Sequence, residues 1–204
     1  SIMYIGDKEN ANTDSALVST KRSLIFNQLN KELYQKFFLN REEQQAINDG
    51  YIYIHDMSAR RDTMNCCLFR MGEVLKGGFE MGNVWYNEPK TLDTACDVIS
   101  DVILNAASQQ YGGFTVPEID KILRPYAEKS LKLHKEEYLS VFKDSEKPVT
   151  NEILKKAEKY AWNKTVREME QGYQGWEYKL NTVASSRGDY PFTAISFGLG
   201  IDPI

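Results

Sequence analysis

Apolar residues along the chain recur mostly at three- and four-residue spacing, the period of an amphipathic helix. The clearest example is the segment 91–110, which ends at the turn signature of Tyr111, Gly112 and Gly113. Its apolar stripe consists of Leu92, Ala95, Cys96, Ile99, Val102, Ile103 and Ala106. The pattern therefore predicts a helix over 91–110, with Cys96 in the core.

The N-terminal part of the chain predicts two more helices. Polar cap candidates at 12–15 precede a helical pattern that continues to Leu33. Asn40 then caps a short helix over 41–48, which ends at an Asp-Gly turn.

The second half of the chain is also mainly helical. A long helix is expected over 117–141, and Pro125 should kink or split it. A charged surface turn is predicted over 143–148. Another helix follows over 150–171, and a short separate helix is expected after Gly175.

Strand patterns are few and short. Alternating aromatic and β-branched residues predict a strand over 51–54, and a second apolar run begins at the adjacent cysteines Cys66 and Cys67. The glycine-rich segment 72–89 is predicted to be a loop, and a last strand is expected over 192–197. Helices dominate, so the pattern indicates a helical subdomain or the first part of a larger α/β fold.

Composition and charge argue against several classes of function. The net charge of −4 does not suit a general nucleic-acid or anionic-membrane surface. No apolar run approaches the roughly 20 residues of a membrane span. The 3 cysteines, two of them adjacent, do not resemble a secreted disulfide framework, which favours the reducing cytoplasm. With 2 histidines and no Cys-x-x-Cys pair, a self-contained zinc site is not expected.

The predicted strand over 51–54 leads into the candidate chemistry. His55 and Asp56 follow this strand, and the thiols of Cys66 and Cys67 come soon after. Reactive side chains collect at strand ends in α/β proteins, because the strand is rigid and the loop beyond it is open. The residues alone leave alternatives open, since Cys66 could be a buried structural thiol and His55 could be bonded to backbone.

Six motifs, in order, span almost the whole chain. They are ENAN at 9–12, GYIYIHD at 50–56, NCCL at 65–68, GGFEMGN at 77–83, YGGFT at 111–115 and PFTAISFGLG at 191–200. Together they resemble the anaerobic (class III) ribonucleoside triphosphate reductases, which are glycyl-radical enzymes. A glycyl-radical lyase of the pyruvate formate-lyase type also has adjacent cysteines, but there they lie in a finger loop.

The resemblance implies a fold and an activity. The fold is a helix-rich α/β structure, part of the ten-stranded α/β barrel of this enzyme family, and residues 1–204 would be the N-terminal portion of the catalytic domain. The family's ATP-cone, finger-loop cysteine and glycyl-radical region have no counterpart in this sequence. The implied reaction converts ribonucleoside triphosphates to deoxyribonucleoside triphosphates by glycyl and thiyl radical chemistry, and the segment is expected to be inactive alone.

The resemblance also implies roles for site residues. Cys66 matches the cysteine that supplies a hydrogen when the ribose 2′-hydroxyl leaves, and His55 lies near the active-site wall. Asn65 and Cys67 accompany Cys66 in the motif and are candidate substrate-binding residues, although core packing is favoured for the Cys67 side chain. The backbone of Gly112 and Gly113 could approach a phosphate, or could simply end a helix.

Cofactors and partners follow from the resemblance too. This segment is expected to bind no cofactor or metal, whereas the whole enzyme implies a glycyl radical, a radical S-adenosylmethionine iron–sulfur activase and formate as reductant. A homodimer that binds a deoxynucleoside triphosphate or ATP effector is expected, with no membrane or nucleic-acid partner. A basic face on the 117–141 helix could meet that effector or could be a solvated surface: Lys121, Arg124, Lys129, Lys132 and Lys135. His134 is expected to be solvated among these lysines.

A non-catalytic function is the alternative interpretation of the sequence. In it, the chain is a helical effector-binding and dimerisation module that has kept the nucleotide site of the reductases.

Overall fold

The computed structural model describes residues 13–14, 16–60, 64–143 and 148–198. The motif at 9–12 and most of the predicted charged turn lie outside the described residues. The chain divides into two compact units. Unit 1 comprises Ser1–Cys67, Ile103–Phe114 and Leu180–Ala194, and unit 2 comprises Leu68–Val102, Thr115–Lys179 and Ile195–Ile204.

The two N-terminal helices lie in unit 1. Helix α1 spans Val18–Phe38 and helix α2 spans Arg41–Asn48. The predicted cap of α2 is confirmed, because the Glu43 backbone N–H donates to Asn40 Oδ1 at 2.9 Å while the Asn40 N–H donates to the Glu43 carboxylate at 2.8 Å. This reciprocal pair is a capping box, which satisfies two N–H groups that the helix itself leaves open.

Four further helices follow among the described residues. They are α3 (Met71–Leu75), α4 (Leu92–Ala107), α5 (Ile119–Lys143) and α6 (Asn151–Thr182). The prediction for α4 is confirmed, and six of the seven residues of its apolar stripe are buried. Pro125 lies inside α5 without splitting it. Within the described residues, no helix is long and apolar enough to cross a membrane.

The strands of the described residues are short and form two sheets. Strands β1 (Cys67–Leu68), β4 (Phe114–Val116) and β5 (Thr193–Ile195) form one sheet with β4 in the middle. The Cys67 N–H donates to Gly113 O at 3.0 Å and the Phe69 N–H donates to Thr115 O at 2.8 Å, so β1 and β4 run parallel. Strands β2 (Phe79–Met81) and β3 (Val84–Tyr86) form an antiparallel hairpin. The fold is therefore a helix-rich α/β structure with a small parallel sheet.

The predicted strand over 51–54 is wrong. These residues belong to no strand, and the N–H groups of Tyr51 and Ile52 donate to the Ala46 carbonyl, at 2.8 and 3.2 Å, where α2 ends. Tyr51 and Tyr53 are 84% and 69% exposed. An alternating pattern becomes a strand only when a neighbouring strand takes its hydrogen bonds, and here the end of α2 takes those of the first two N–H groups.

Two other predictions of local structure are corrected. The segment 72–89 is not a plain loop, because it contains most of α3 and the β2–β3 hairpin, where the Phe79 and Tyr86 rings stack at 5.3 Å. Helix α6 is continuous through Gly172 and Gly175 rather than broken. In α6, packing outweighs the low helix preference of glycine. In the segment 72–89, by contrast, Gly77, Gly78 and Gly82 have positive φ and connect the helix and the strands.

Glycine at position 172 permits the close packing of α6 on Cys96 of α4 within unit 2. A Cβ at Gly172 would lie 2.6 Å from Cys96 Sγ and 2.8 Å from its Cβ. One turn further along α6, the Trp176 indole N–H donates to the Cys96 carbonyl at 2.6 Å. Cys96 is a core residue, as predicted, and burial raises the pKa of its thiol to about 12.

His134 is not solvated, contrary to prediction. It is only 9% exposed, and its Nε2 lies 2.6 Å from a carboxylate oxygen of Glu168 on α6. The other oxygen of Glu168 accepts from the Ser130 hydroxyl at 2.6 Å, and Ser130 Oγ accepts from the Leu92 N–H at 2.8 Å. His134 therefore lies on the side of α5 that packs against α6, and not on the lysine-rich side. Its imidazole, the Ser130 hydroxyl and the Glu168 carboxylate satisfy one another's hydrogen bonds.

We expect opposite effects from alanine at the two glycines of α6. Gly172→Ala should destabilise the protein by about 1–3 kcal/mol, because its methyl group overlaps Cys96. Gly175→Ala should stabilise it by up to about 1 kcal/mol, because a Cβ there meets no atom within 4 Å and alanine favours a helix. Urea denaturation measures both changes in the free energy of unfolding. Equal stabilisation by the two variants would contradict the close approach of Gly172 to Cys96.

Ser130 provides a second test of unit 2. Ser130→Ala should cost about 1–3 kcal/mol, because it leaves the Leu92 N–H and one Glu168 oxygen without this partner in a buried place. The matched control is Ser140→Ala on the exposed side of the same helix, which should change the free energy of unfolding by less than about 0.5 kcal/mol. Equal losses in the two variants would show that the buried hydrogen bonds contribute nothing specific.

Candidate functional site

The Cys66 thiol is exposed and is held by two hydrogen bonds in unit 1. Its sulfur accepts from the Gly113 N–H at 3.2 Å, and its S–H donates to Asn65 Oδ1 at 3.2 Å. The sulfur therefore has a fixed direction while it stays open to solvent on one side.

The neighbouring Cys67 side chain has a different environment. It is half-buried, and its S–H donates to Gln110 Oε1 at 3.2 Å. Partial burial raises the pKa of the Cys67 thiol, and the adjacent Cys66 acts in the same direction. Since successive side chains of a strand point to opposite faces, only Cys66 is presented outward.

A short backbone pairing holds the thiols against the turn at 110–113. The Tyr111 N–H donates to Met64 O, and the Gly112 N–H donates to Asn65 O, both at 3.1 Å. The N–H groups of Gly112 and Gly113 thus have partners within the protein. Phosphate binding by this glycine pair stays a prediction.

Asn65 and Cys66 leave no space for a side chain at position 112, so only glycine fits there. A Cβ at this position would lie 2.5 Å from Cys66 Sγ and 2.9 Å from the Asn65 carbonyl carbon, and still closer to Asn65 Oδ1. Any side chain would displace the thiol or the amide that binds it. The residue that the sequence indicated for a phosphate therefore makes room for the thiol.

Gln110 is a site residue that sequence reasoning missed. It is 2% exposed, and its Nε2 donates to the Gly112 carbonyl at 3.0 Å while its Oε1 accepts from Cys67. Its backbone carbonyl accepts from Arg187, whose guanidinium also pairs with Asp189 at 3.0 Å. In the sequence, the signal for Gln110 was a polar residue directly before the Tyr-Gly-Gly turn.

His55 pairs with Asp56 rather than with a thiol. Its Nδ1 contacts the Asp56 carboxylate, and its carbonyl accepts from Arg60 Nε at 3.2 Å. Asp56 has a positive φ of 53°, which is uncommon for a residue with a side chain. Among the described residues, the contacts join His55 to Asp56 and Cys66 to Asn65, but they do not join the two pairs.

A small cavity lies behind the turn in unit 1, with a volume of about 60 Å³. Its walls include Gln110, Gly112 and Tyr190, and neither cysteine lines it. Ligand pockets for small molecules are typically about 300–1,000 Å³, so this cavity is too small for a nucleotide. The Cys66 thiol is accessible from solvent on its exposed side and not through this cavity.

The basic face of α5 in unit 2 is balanced by acidic partners. Every basic residue of this face lies within 4.0 Å of a glutamate: the pairs are Lys121–Glu118, Arg124–Glu128, Lys129–Glu88, Lys132–Glu136 and Lys135–Glu158. These contacts favour a solvated, ion-paired surface over a concentrated positive site for a triphosphate. In the described part of the chain, no group of three or more histidine, cysteine, aspartate or glutamate side chains could hold a metal ion.

Comparison with known proteins gives a consistent match. The family model for anaerobic ribonucleoside-triphosphate reductase matches residues 9–203. The chain is 34% identical to the enzymes of that name from Enterobacteria phage T4, over 196 residues, and from Escherichia coli (strain K12), over 194 residues. These alignments cover 95% and 94% of this chain, but 30% and 26% of the two relatives. The chain thus spans less than a third of the length of these curated relatives, and it belongs to the anaerobic ribonucleoside-triphosphate reductase family.

Proposed function

We propose that this chain forms one wall of the radical active site in an anaerobic ribonucleoside-triphosphate reductase, with Cys66 as a hydrogen donor. The observation that carries the proposal is the exposed Cys66 thiol held between Asn65 Oδ1 and the Gly113 N–H. Its motif lies within the part of the chain that matches the family. The substrate is a ribonucleoside triphosphate and the product is the corresponding deoxyribonucleoside triphosphate.

The chemistry requires a thiol at the position of Cys66. When the ribose 2′-hydroxyl leaves as water, the S–H group supplies a hydrogen, which a serine hydroxyl cannot do because its O–H bond is too strong. The exposed side of the sulfur admits the ribose, while Asn65 and Gly113 fix the direction of the S–H bond. Such prior orientation removes part of the entropic cost of reaching the transition state.

Cys67 is less suited to the same role. Its S–H donates to Gln110, and burial raises the pKa of its thiol. In this proposal Cys67 supports the site from behind, and as a member of the same motif it is also a candidate substrate-binding residue. His55, with its exposed ring and its bond to Asp56, completes the active-site wall in this proposal.

The rest of the reductase supplies what these residues do not. A glycyl radical, made by a radical S-adenosylmethionine iron–sulfur activase, provides a thiyl radical on the opposite side of the ribose, and formate is the reductant. The described strands and helices form the first part of a ten-stranded α/β barrel. Residues 1–204 are then the N-terminal portion of the catalytic domain, which is consistent with the small fraction of each relative that they cover.

A homodimer with a bound deoxynucleoside triphosphate or ATP effector belongs to the same proposal. Exposed apolar side chains recur on α6 at spacings of seven and four residues, at Trp162, Met169 and Tyr173. That spacing places them along one side of the helix, where a second helix could pack. The paired charges of α5 lend no support to an effector-binding module without catalysis.

Substitution of Cys66 in the full-length reductase tests the proposal. Cys66→Ser should reduce deoxynucleotide formation to background after activation, because the variant cannot donate the hydrogen. Substrate and effector binding should be unchanged, since serine is nearly the same size. Product formation by chromatography and nucleotide binding by calorimetry measure the two effects.

Cys67→Ser is the matched comparison, because it removes the adjacent thiol instead. This variant should keep measurable turnover. Retained turnover in Cys66→Ser, or equal loss in both variants, would contradict the assignment of Cys66.

A further inference from the structure

The Gln110 side chain makes two hydrogen bonds that converge on the adjacent cysteines. Its Oε1 accepts from the Cys67 S–H at 3.2 Å, and its Nε2 donates to the Gly112 carbonyl at 3.0 Å. The two bonds use opposite ends of one buried amide, so the amide can satisfy both only in a single orientation.

The Gly112 carbonyl belongs to the same peptide group as the Gly113 N–H. This N–H donates to Cys66 Sγ at 3.2 Å. Since a peptide group is planar and rigid, holding its oxygen also sets the direction of its N–H. Gln110 is thereby connected to Cys67 directly and to Cys66 through one peptide group.

The turn itself has separate support. The Gln110 carbonyl accepts from Arg187, and the Tyr111 N–H donates to Met64 O at 3.1 Å. These bonds hold the backbone where α4 gives way to the turn. The side-chain amide of Gln110 therefore contributes something different, namely the orientation of the two thiols.

We propose that Gln110 is a positioning residue that keeps Cys67 turned inward and aims the Gly113 N–H at Cys66, so that Cys66 alone is presented for reaction. The catalytic consequence rests on the proposed function, whereas the effect on the thiols does not. Gln110 needs no contact with the substrate for this role.

Selective alkylation of the 204-residue chain tests the effect on the thiols. The native protein is treated with iodoacetamide at pH 8, and the rates at Cys66 and Cys67 are followed by peptide mass spectrometry. In Gln110→Met, which keeps the length of the side chain and removes both bonds, the ratio of the Cys67 rate to the Cys66 rate should rise. A rise of about fivefold corresponds to one hydrogen bond of ordinary strength.

The chain offers a matched control and an internal standard. Gln109→Met makes the same chemical change at the exposed neighbouring position, and the ratio should stay at the native value. Cys96 should remain unlabelled throughout, because burial raises its pKa to about 12, and labelling of Cys96 reports loss of the fold.

An unchanged ratio in folded Gln110→Met would overturn the proposal. If Gln110→Met does not fold, the same measurement is made on Gln110→Asn, whose shorter amide cannot reach both partners. Failure of both variants to fold would also overturn it, because Gln110 would then be a structural residue.

Kinetics in the full-length reductase tests the catalytic consequence. Gln110→Met should lower kcat by about fivefold with KM unchanged, because the thiol is misaligned while the exposed substrate surface stays intact. A raised KM or an unchanged kcat would refute this consequence. The two proposals can fail independently. Turnover in Cys66→Ser would refute the donor role of Cys66, whereas an unchanged alkylation ratio in Gln110→Met would refute the positioning role of Gln110.

Discussion

The parallel pairing of residues 64–67 with residues 110–113 is the constraint on which the site depends. It brings the end of α4 beside the two adjacent cysteines through hydrogen bonds from the N–H groups of Tyr111, Gly112 and Cys67. Because side chains alternate along a strand, a shift of this register by one residue would exchange the environments of the two thiols. The register therefore decides which cysteine faces solvent, and Gly112 permits this register because it has no Cβ.

Specific partners satisfy a cluster of buried polar groups in each unit, but the two clusters have different consequences. In unit 2, Ser130, His134 and Glu168 satisfy one another between α5 and α6, and the result is packing stability. In unit 1, Gln110 and Arg187 take up the polar groups around the turn, and the result is a defined direction for two thiols. The same physical requirement, that buried polar groups find partners, thus builds a scaffold in one place and a site in the other.

Local patterns predicted those elements that local interactions control. The apolar stripe identified α4, and the Asn40 cap identified the start of α2, because each depends on residues within a few positions. The strand over 51–54 failed because strand formation depends on a distant partner, which the pattern cannot supply. Gln110 and His134 were missed for a related reason, since Gln110 lies 43 positions from Cys67 and His134 lies 34 positions from Glu168. The candidate thiols were visible in the sequence, but the residues that hold them became visible only in the fold.

A pair of adjacent thiols presents a problem for radical chemistry, because either one could donate a hydrogen. A difference in sequence position alone cannot separate them, since both lie within one short motif. The fold separates them by giving each thiol its own acceptor, Asn65 Oδ1 for Cys66 and Gln110 Oε1 for Cys67. Only the first acceptor lies at the exposed surface, so in the proposed function the hydrogen passed to an incoming ribose would come from Cys66. Selectivity between two identical groups then arises from burial and hydrogen bonding, without any difference in their intrinsic chemistry.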